Sequence, residues 1–192
     1  MIAGHFGLAA AVKSRARATP LWMLMLATVW IDLVFVPLFL AGIETIQATA
    51  GRAGAYGGGL IHADYTHSLV GALALSLVLA APAVWAWGWT SGSVIGAVSF
   101  SHWLLDLLVH RPDLPILPGD AGALPKLGLG LWRYPMASIG VELVLVVAGA
   151  LLYWRAARAT AKSAGRGQAL AAACSLLILV CGGAVLLLDA SA

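Results

Sequence analysis

Five apolar stretches of near-spanning length, at roughly 21–43, 66–88, 93–110, 137–155 and 168–188, dominate this chain of 192 residues. In lipid every backbone amide and carbonyl must find its partner within the protein, so such stretches can only be helices. About 20 residues cross a bilayer core, and all five approach that length. Composition agrees: 61% of residues are hydrophobic and 10% are charged, where soluble domains carry roughly 25% charged. The expected fold is therefore an all-α integral membrane protein of one domain with about five spans.

The first dozen residues, MIAGHFGLAAAV, are apolar but too short to cross. They fit a short re-entrant or interfacial helix. They do not fit a signal peptide, because Lys13, Arg15 and Arg17 follow the apolar run instead of preceding it. The connection at 44–65 is glycine-rich, and 111–135 holds five prolines and four glycines, which excludes a long helix there.

Lysine and arginine set the orientation. Five alternating crossings put Lys13, Arg15, Arg17, Arg155, Arg158, Lys162 and Arg166 on one side, against Arg52, Arg111, Lys126 and Arg133 on the other. The richer side is expected to be cytoplasmic, with loops 44–65 and 111–135 outside. The small net charge of +3, with no basic face beyond the loops, argues against nucleic acid as a partner. Cys174 and Cys181, seven apart on one helix, lie about 10 Å apart and cannot form a disulfide.

Within the third apolar stretch, His102, Asp106 and His110 recur every four residues. Each step drifts only about 40° around a helix, so the three form one stripe. Ionisable groups inside a membrane are expensive and usually mark a site. Other candidates join by depth. His5 would sit about 12 Å from Lys13, and Asp32 and His102 reach a similar level on their own helices. His62 and His67 flank the start of the second stretch in HADYTHSL, where Asp64 or Thr66 would cap the helix and place His67 in its first turn. Imidazoles with carboxylates suit zinc, and also iron or manganese. The candidate metal ligands are thus His5, Asp32, His62, His67, His102 and Asp106, enough for one or two divalent ions.

Around them stand further candidates. Glu142, an acid inside the fourth stretch, could support a ligand histidine or pair with Arg133. Arg111, Trp132 and Arg133 could line the mouth of the site and hold a substrate, and His110 or Asp113 could move a proton. Each also has a plainer reading: a helix-end anchor, an interfacial aromatic, a snorkelling side chain.

Together these residues resemble a bacterial inner-membrane family of metal-dependent hydrolases, the LexA-regulated YdjM-like group. The resemblance rests on Gly4-His5, Asp32, the His62-x4-His67-Ser68 element, and Ser101-His102-x3-Asp106 running on into HRPDLPILPG and GLGLW. It covers most of the first 135 residues. The run WIDLVFVP departs from it, carrying one acid where the family commonly has a further Asp and a His. The resemblance implies a multi-pass protein of the bacterial cytoplasmic membrane that hydrolyses a substrate with a metal-activated water. A phosphoester or ester of a lipid-like or small molecule is expected by analogy. Three rival readings use the same residues: a haem-holding subunit, a proton-coupled transporter, and a scaffold that keeps a metal only for folding.

Overall fold

In a computed structural model the chain is 73% helical. The structure describes residues 1–48, 59–164 and 168–191; Arg52 and Arg166, used above for orientation, lie outside the described residues. The helices are α1 (Ile2–Lys13), α2 (Leu21–Thr28), α3 (Trp30–Leu40), α4 (Leu69–Val109), α5 (Pro135–Ser163) and α6 (Ala169–Ser191). Three are long and apolar enough to cross a membrane: α4, α5 and α6. The pair α2–α3 meets that test only when its two parts are taken together.

Helix α4 runs through the second and third apolar stretches, 41 residues in all. At Gly88, φ 80° and ψ 168° interrupt the helical backbone in a conformation open to glycine and to few other residues. Contacts across the break show the result. Ser76 Oγ lies 3.1 Å from Ser99 Oγ, and Trp103 Nε1 donates to the His67 carbonyl at 2.8 Å. In a straight helix Ser76 and Ser99 would be about 34 Å apart. The arms 69–87 and 89–109 therefore lie side by side as a hairpin. Exposed Trp85 and Trp89 flank the turn, and Trp22 meets Trp87 edge-on with ring centroids 5.8 Å apart.

The first apolar stretch is not one continuous helix. It bends by 45° between α2 and α3, with Val29 (φ −116°, ψ 9°) as the joint. The bend releases the last carbonyls of α2 from the helical ladder and creates a fresh helix N-terminus at α3. Asp32 lies in that first turn, where the helix dipole favours a carboxylate.

Helix α1 packs closely against α5. A Cβ at Gly7 would fall 2.5 Å from the Leu145 carbonyl, and one at Gly149 would fall 2.0 Å from Gly7 O. The two glycines thus let the backbones touch, as small residues do between helices in lipid. Glu142, fully buried on α5, accepts from Gly4 N–H at 3.2 Å and anchors the first turn of α1.

The fold is not purely helical. Thr45–Ala48 (β1) and Gly59–His62 (β2) form an antiparallel ribbon in which Thr45 faces His62. The helix start expected at Asp64 or Thr66 comes later in the chain: Ser68 is the cap, accepting from Gly71 N–H at 3.0 Å, so His67 precedes the helix. The next amides of α4 are satisfied by the 111–117 loop, Leu69 N by Pro115 O and Val70 N by Ile116 O. That loop thereby brings the two ends of the α4 hairpin together. Lys126 ties the same region down through Asp120 at 3.2 Å and Asp64 at 3.4 Å. Burial works against its charge, but the two carboxylates outweigh it and hold the ammonium above the ordinary lysine value.

Candidate metal centre

Four of the chain's five histidines meet two aspartates between α1, α3, the start of α4 and its second arm. Asp106 is the hub. Its Oδ1 lies 3.3 Å from His5 Nε2, and its Oδ2 lies 3.0 Å from His102 Nε2, 3.6 Å from His67 Nε2 and 4.0 Å from His110 Nε2. Asp32 Oδ1 stands opposite, 3.4 Å from His67 Nε2 and 3.5 Å from His102 Nε2. Donor atoms bound tetrahedrally at 2.0–2.1 Å are about 3.3 Å apart, so these separations suit a shared ion. The rings are packed as closely as the donors: His5 stacks on His102 with centroids 4.0 Å apart.

The far side of three rings decides which nitrogen faces inward. His102 Nδ1 lies 2.8 Å from the Thr28 carbonyl, one of those released at the α2–α3 bend. A carbonyl only accepts, so Nδ1 carries the hydrogen and Nε2 presents its lone pair. His110 Nδ1 lies 3.0 Å from Asp113 Oδ1, with the same consequence. For His67 the chain is longer. Thr66 Oγ1 donates its one proton to Glu44, at 2.9 Å from Oε2, and its oxygen accepts from His67 Nδ1 at 2.9 Å. Glu44 is fully buried and also accepts from the amides of Tyr65 and Thr66, each at 2.8 Å. Metal-binding histidines characteristically donate their outer N–H to such an acceptor, which fixes the ring and its tautomer.

Two triads have ligand atoms close enough to hold an ion, His5–His102–Asp106 and Asp32–His67–His102. They open on a cavity of about 310 Å³ whose other walls are apolar, among them Phe35, Val36, Ile46 and Ile61. Asp32 is the accessible member, its side chain 36% exposed, while the Asp106 side chain is 6% exposed. Buried His102 Nε2, its lone pair facing the Asp106 carboxylate, has no hydrogen-bond partner, and an ion between the two would satisfy both. The donor chemistry and the spacing therefore fit a divalent metal.

His5, Asp32, His67, His102 and Asp106 thus meet as the sequence suggests, and His110 joins them. His62 does not. It ends β2, in register with Thr45, and belongs to neither triad. Asp113 sits behind His110 and outside the cavity wall. Trp132 does line the cavity, with its ring 4.3 Å from that of His110, whereas Arg111 and Arg133 do not line it. Glu142 reaches the centre through the backbone at Gly4, one residue before His5.

Glu44 and Thr66 are the residues that sequence reasoning passes over as supports. A lone acid at the end of an apolar stretch reads as interfacial, and Thr66 reads as a helix cap. The available signal is a threonine directly before a candidate ligand.

No family model, curated protein or solved structure matches this chain.

Proposed function

We propose that this protein is a membrane-embedded, metal-dependent hydrolase, acting on a phosphoester or ester of a lipid-like substrate. The observation that carries the reading is the convergence of four imidazole Nε2 atoms on two carboxylates, three of them with Nδ1 held from behind. A catalytic centre also needs an open side, and the partly exposed Asp32 beside Phe35 and Val36 provides one facing apolar surroundings.

A bound ion, zinc being the best match to these donors, supplies Lewis acidity and a water acidified towards neutral pH. The chain's own residues do the rest. His67, His102 and Asp106 hold the ion, with His5 and Asp32 completing the set. His110 faces the same cavity with Asp113 fixing its tautomer, so its Nε2 is placed to take a proton from water and return it to the departing alcohol. In the overall change water oxygen bonds to phosphorus or carbonyl carbon, the ester P–O or C–O bond breaks, and the alcohol leaves with the proton. Trp132 packs over His110 and closes that wall.

The hairpin at Gly88 supports counting α4 as two crossings. With the bent α2–α3 pair as one, and α5 and α6 as one each, the chain crosses five times. Thr19 bonds Ser91 at 3.2 Å, so the basic segment 13–17 and the tryptophan-flanked turn share one end. That end is the cytoplasmic one by the excess of lysine and arginine, in a bacterial inner membrane by resemblance to the YdjM-like group. The centre then lies about 25 Å from the turn at Gly88, towards the outer leaflet. Carboxylates interleaved with the imidazoles favour an ion over haem.

Chromogenic phosphodiester, phosphomonoester and acyl ester probes, offered to the full chain in detergent micelles, test the reading. Turnover of one class that chelation abolishes and zinc or manganese restores is expected. Metal-loaded protein inert towards all three, or turnover indifferent to chelation, would overturn it.

A further inference from the structure

We infer that the cluster holds two ions, with the Asp106 carboxylate bridging them; this rests on reading the cluster as a metal centre. The first ground is a count of donors. His5, His67, His102 and His110 each turn Nε2 inward, Asp32 adds Oδ1, and Asp106 adds both oxygens. A catalytic zinc takes three protein ligands and keeps a position for water. Five ligands on one ion would leave little room for water, while two ions that share Asp106 take three each and leave His110 free for proton transfer.

The second ground is how Asp106 is placed. Its two oxygens have different nearest partners: Oδ1 is nearest to His5 and Oδ2 to His67 and His110, while His102 Nε2, 3.0 Å from Oδ2, is shared between the two triads. His102 belongs to both triads, yet its Nδ1 is spent on the Thr28 carbonyl, so it has one nitrogen and can serve one ion. With His102 beside His5 on the first ion, the second is left Asp32, His67 and Asp106 Oδ2, with His110 next to them. The carboxylate is then the one group placed to touch both. Asp106 is buried and fixed between four imidazoles, which suits a bridge better than a terminal ligand free to swing. Paired ions held this way clamp the attacking and leaving oxygens of a phosphoryl group, so the arrangement favours the phosphoester over the acyl ester.

Manganese titration of the chelator-stripped full chain in micelles, followed by paramagnetic resonance and elemental analysis, tests the count. The expected result is saturation at two ions per chain, with the six-line signal of isolated manganese lost as the second equivalent binds. His5→Ala and Asp32→Asn are each expected to retain one uncoupled ion, and Asp106→Asn to lose the coupling. Should a variant fail to fold, the wild-type titration decides alone. Saturation at one ion, or two ions without coupling, would overturn the two-ion site and leave the hydrolase reading standing. No ion bound at all would overturn both.

Discussion

The glycine contact between α1 and α5 gives a test of how the centre is held, remote from every ligand. Replacing Gly149 by Ala puts a Cβ 2.0 Å from Gly7 O, where real Cβ contacts essentially never fall below 3.0 Å. The backbones must separate by the difference, 3.0 − 2.0, about 1 Å. Gly7 is two residues from His5, on a helix whose first turn is tied to the same α5 by Glu142. Metal–donor distances hold to about 0.2 Å, so a shift several times larger takes His5 Nε2 out of range of any ion shared with Asp106. Overpacking of this kind costs about 1–3 kcal/mol of stability. Loss of a well-placed ligand costs at least the roughly tenfold in affinity that follows from disturbing a supporting residue. Gly183 is the control, because an added Cβ there meets nothing within 4 Å. Competition titration of stripped protein against a chelating dye, with thermal unfolding in parallel, reads both effects. Gly149→Ala should bind zinc at least tenfold more weakly and unfold earlier, and Gly183→Ala should do neither. If Gly149→Ala unfolds earlier yet keeps full affinity, His5 is not positioned through this contact.

The support behind His67 predicts a second effect: Thr66→Val removes the hydroxyl between Glu44 and Nδ1 and should weaken zinc binding roughly 10–100-fold. Thr66→Ser, which keeps the hydroxyl, should restore most of it, and equal loss in both variants would refute the relay. Metal binding should also depend on pH, because an imidazole must be neutral to offer its lone pair. Affinity should fall as acid protonates the ligands, protons being taken up as the ion is released. Constant affinity from pH 8 to 5 would contradict imidazole ligation. Stripping the metal should lower thermal stability in proportion to occupancy, by about 2.7 kcal/mol when the free ion stands at a hundred times its Kd. An unchanged melting curve after chelation would mean that the ion does not bind the folded state preferentially.

Much of the site is legible in the sequence because helical periodicity is local. His102, Asp106 and His110 share a face by spacing alone, and depth along neighbouring helices brings in His5 and Asp32. What the sequence withholds comes from breaks in that regularity. The bend at Val29 has no proline or glycine to announce it, yet it frees the Thr28 carbonyl that fixes His102 and sets Asp32 at a helix N-terminus. The ribbon β1–β2 arises in a stretch whose glycines read as loop, and it carries His62 away from the cluster. Glu44 reaches His67 only through a tertiary contact across 22 positions, which no spacing rule encodes. The hairpin lies in between: the turn near Gly88 is visible in WGWTSGS, while the continuous helical character of both arms up to that one residue is not.

Every role proposed for the cluster requires a metal ion held by His102 and Asp106. Elemental analysis of purified wild type, His102→Ala and Asp106→Ala tests this requirement most directly. At least one equivalent of a divalent transition metal is expected in the wild type, and its loss in both variants. Metal content unchanged in both, or no metal taken up by folded wild type after exposure to zinc and manganese, would contradict it.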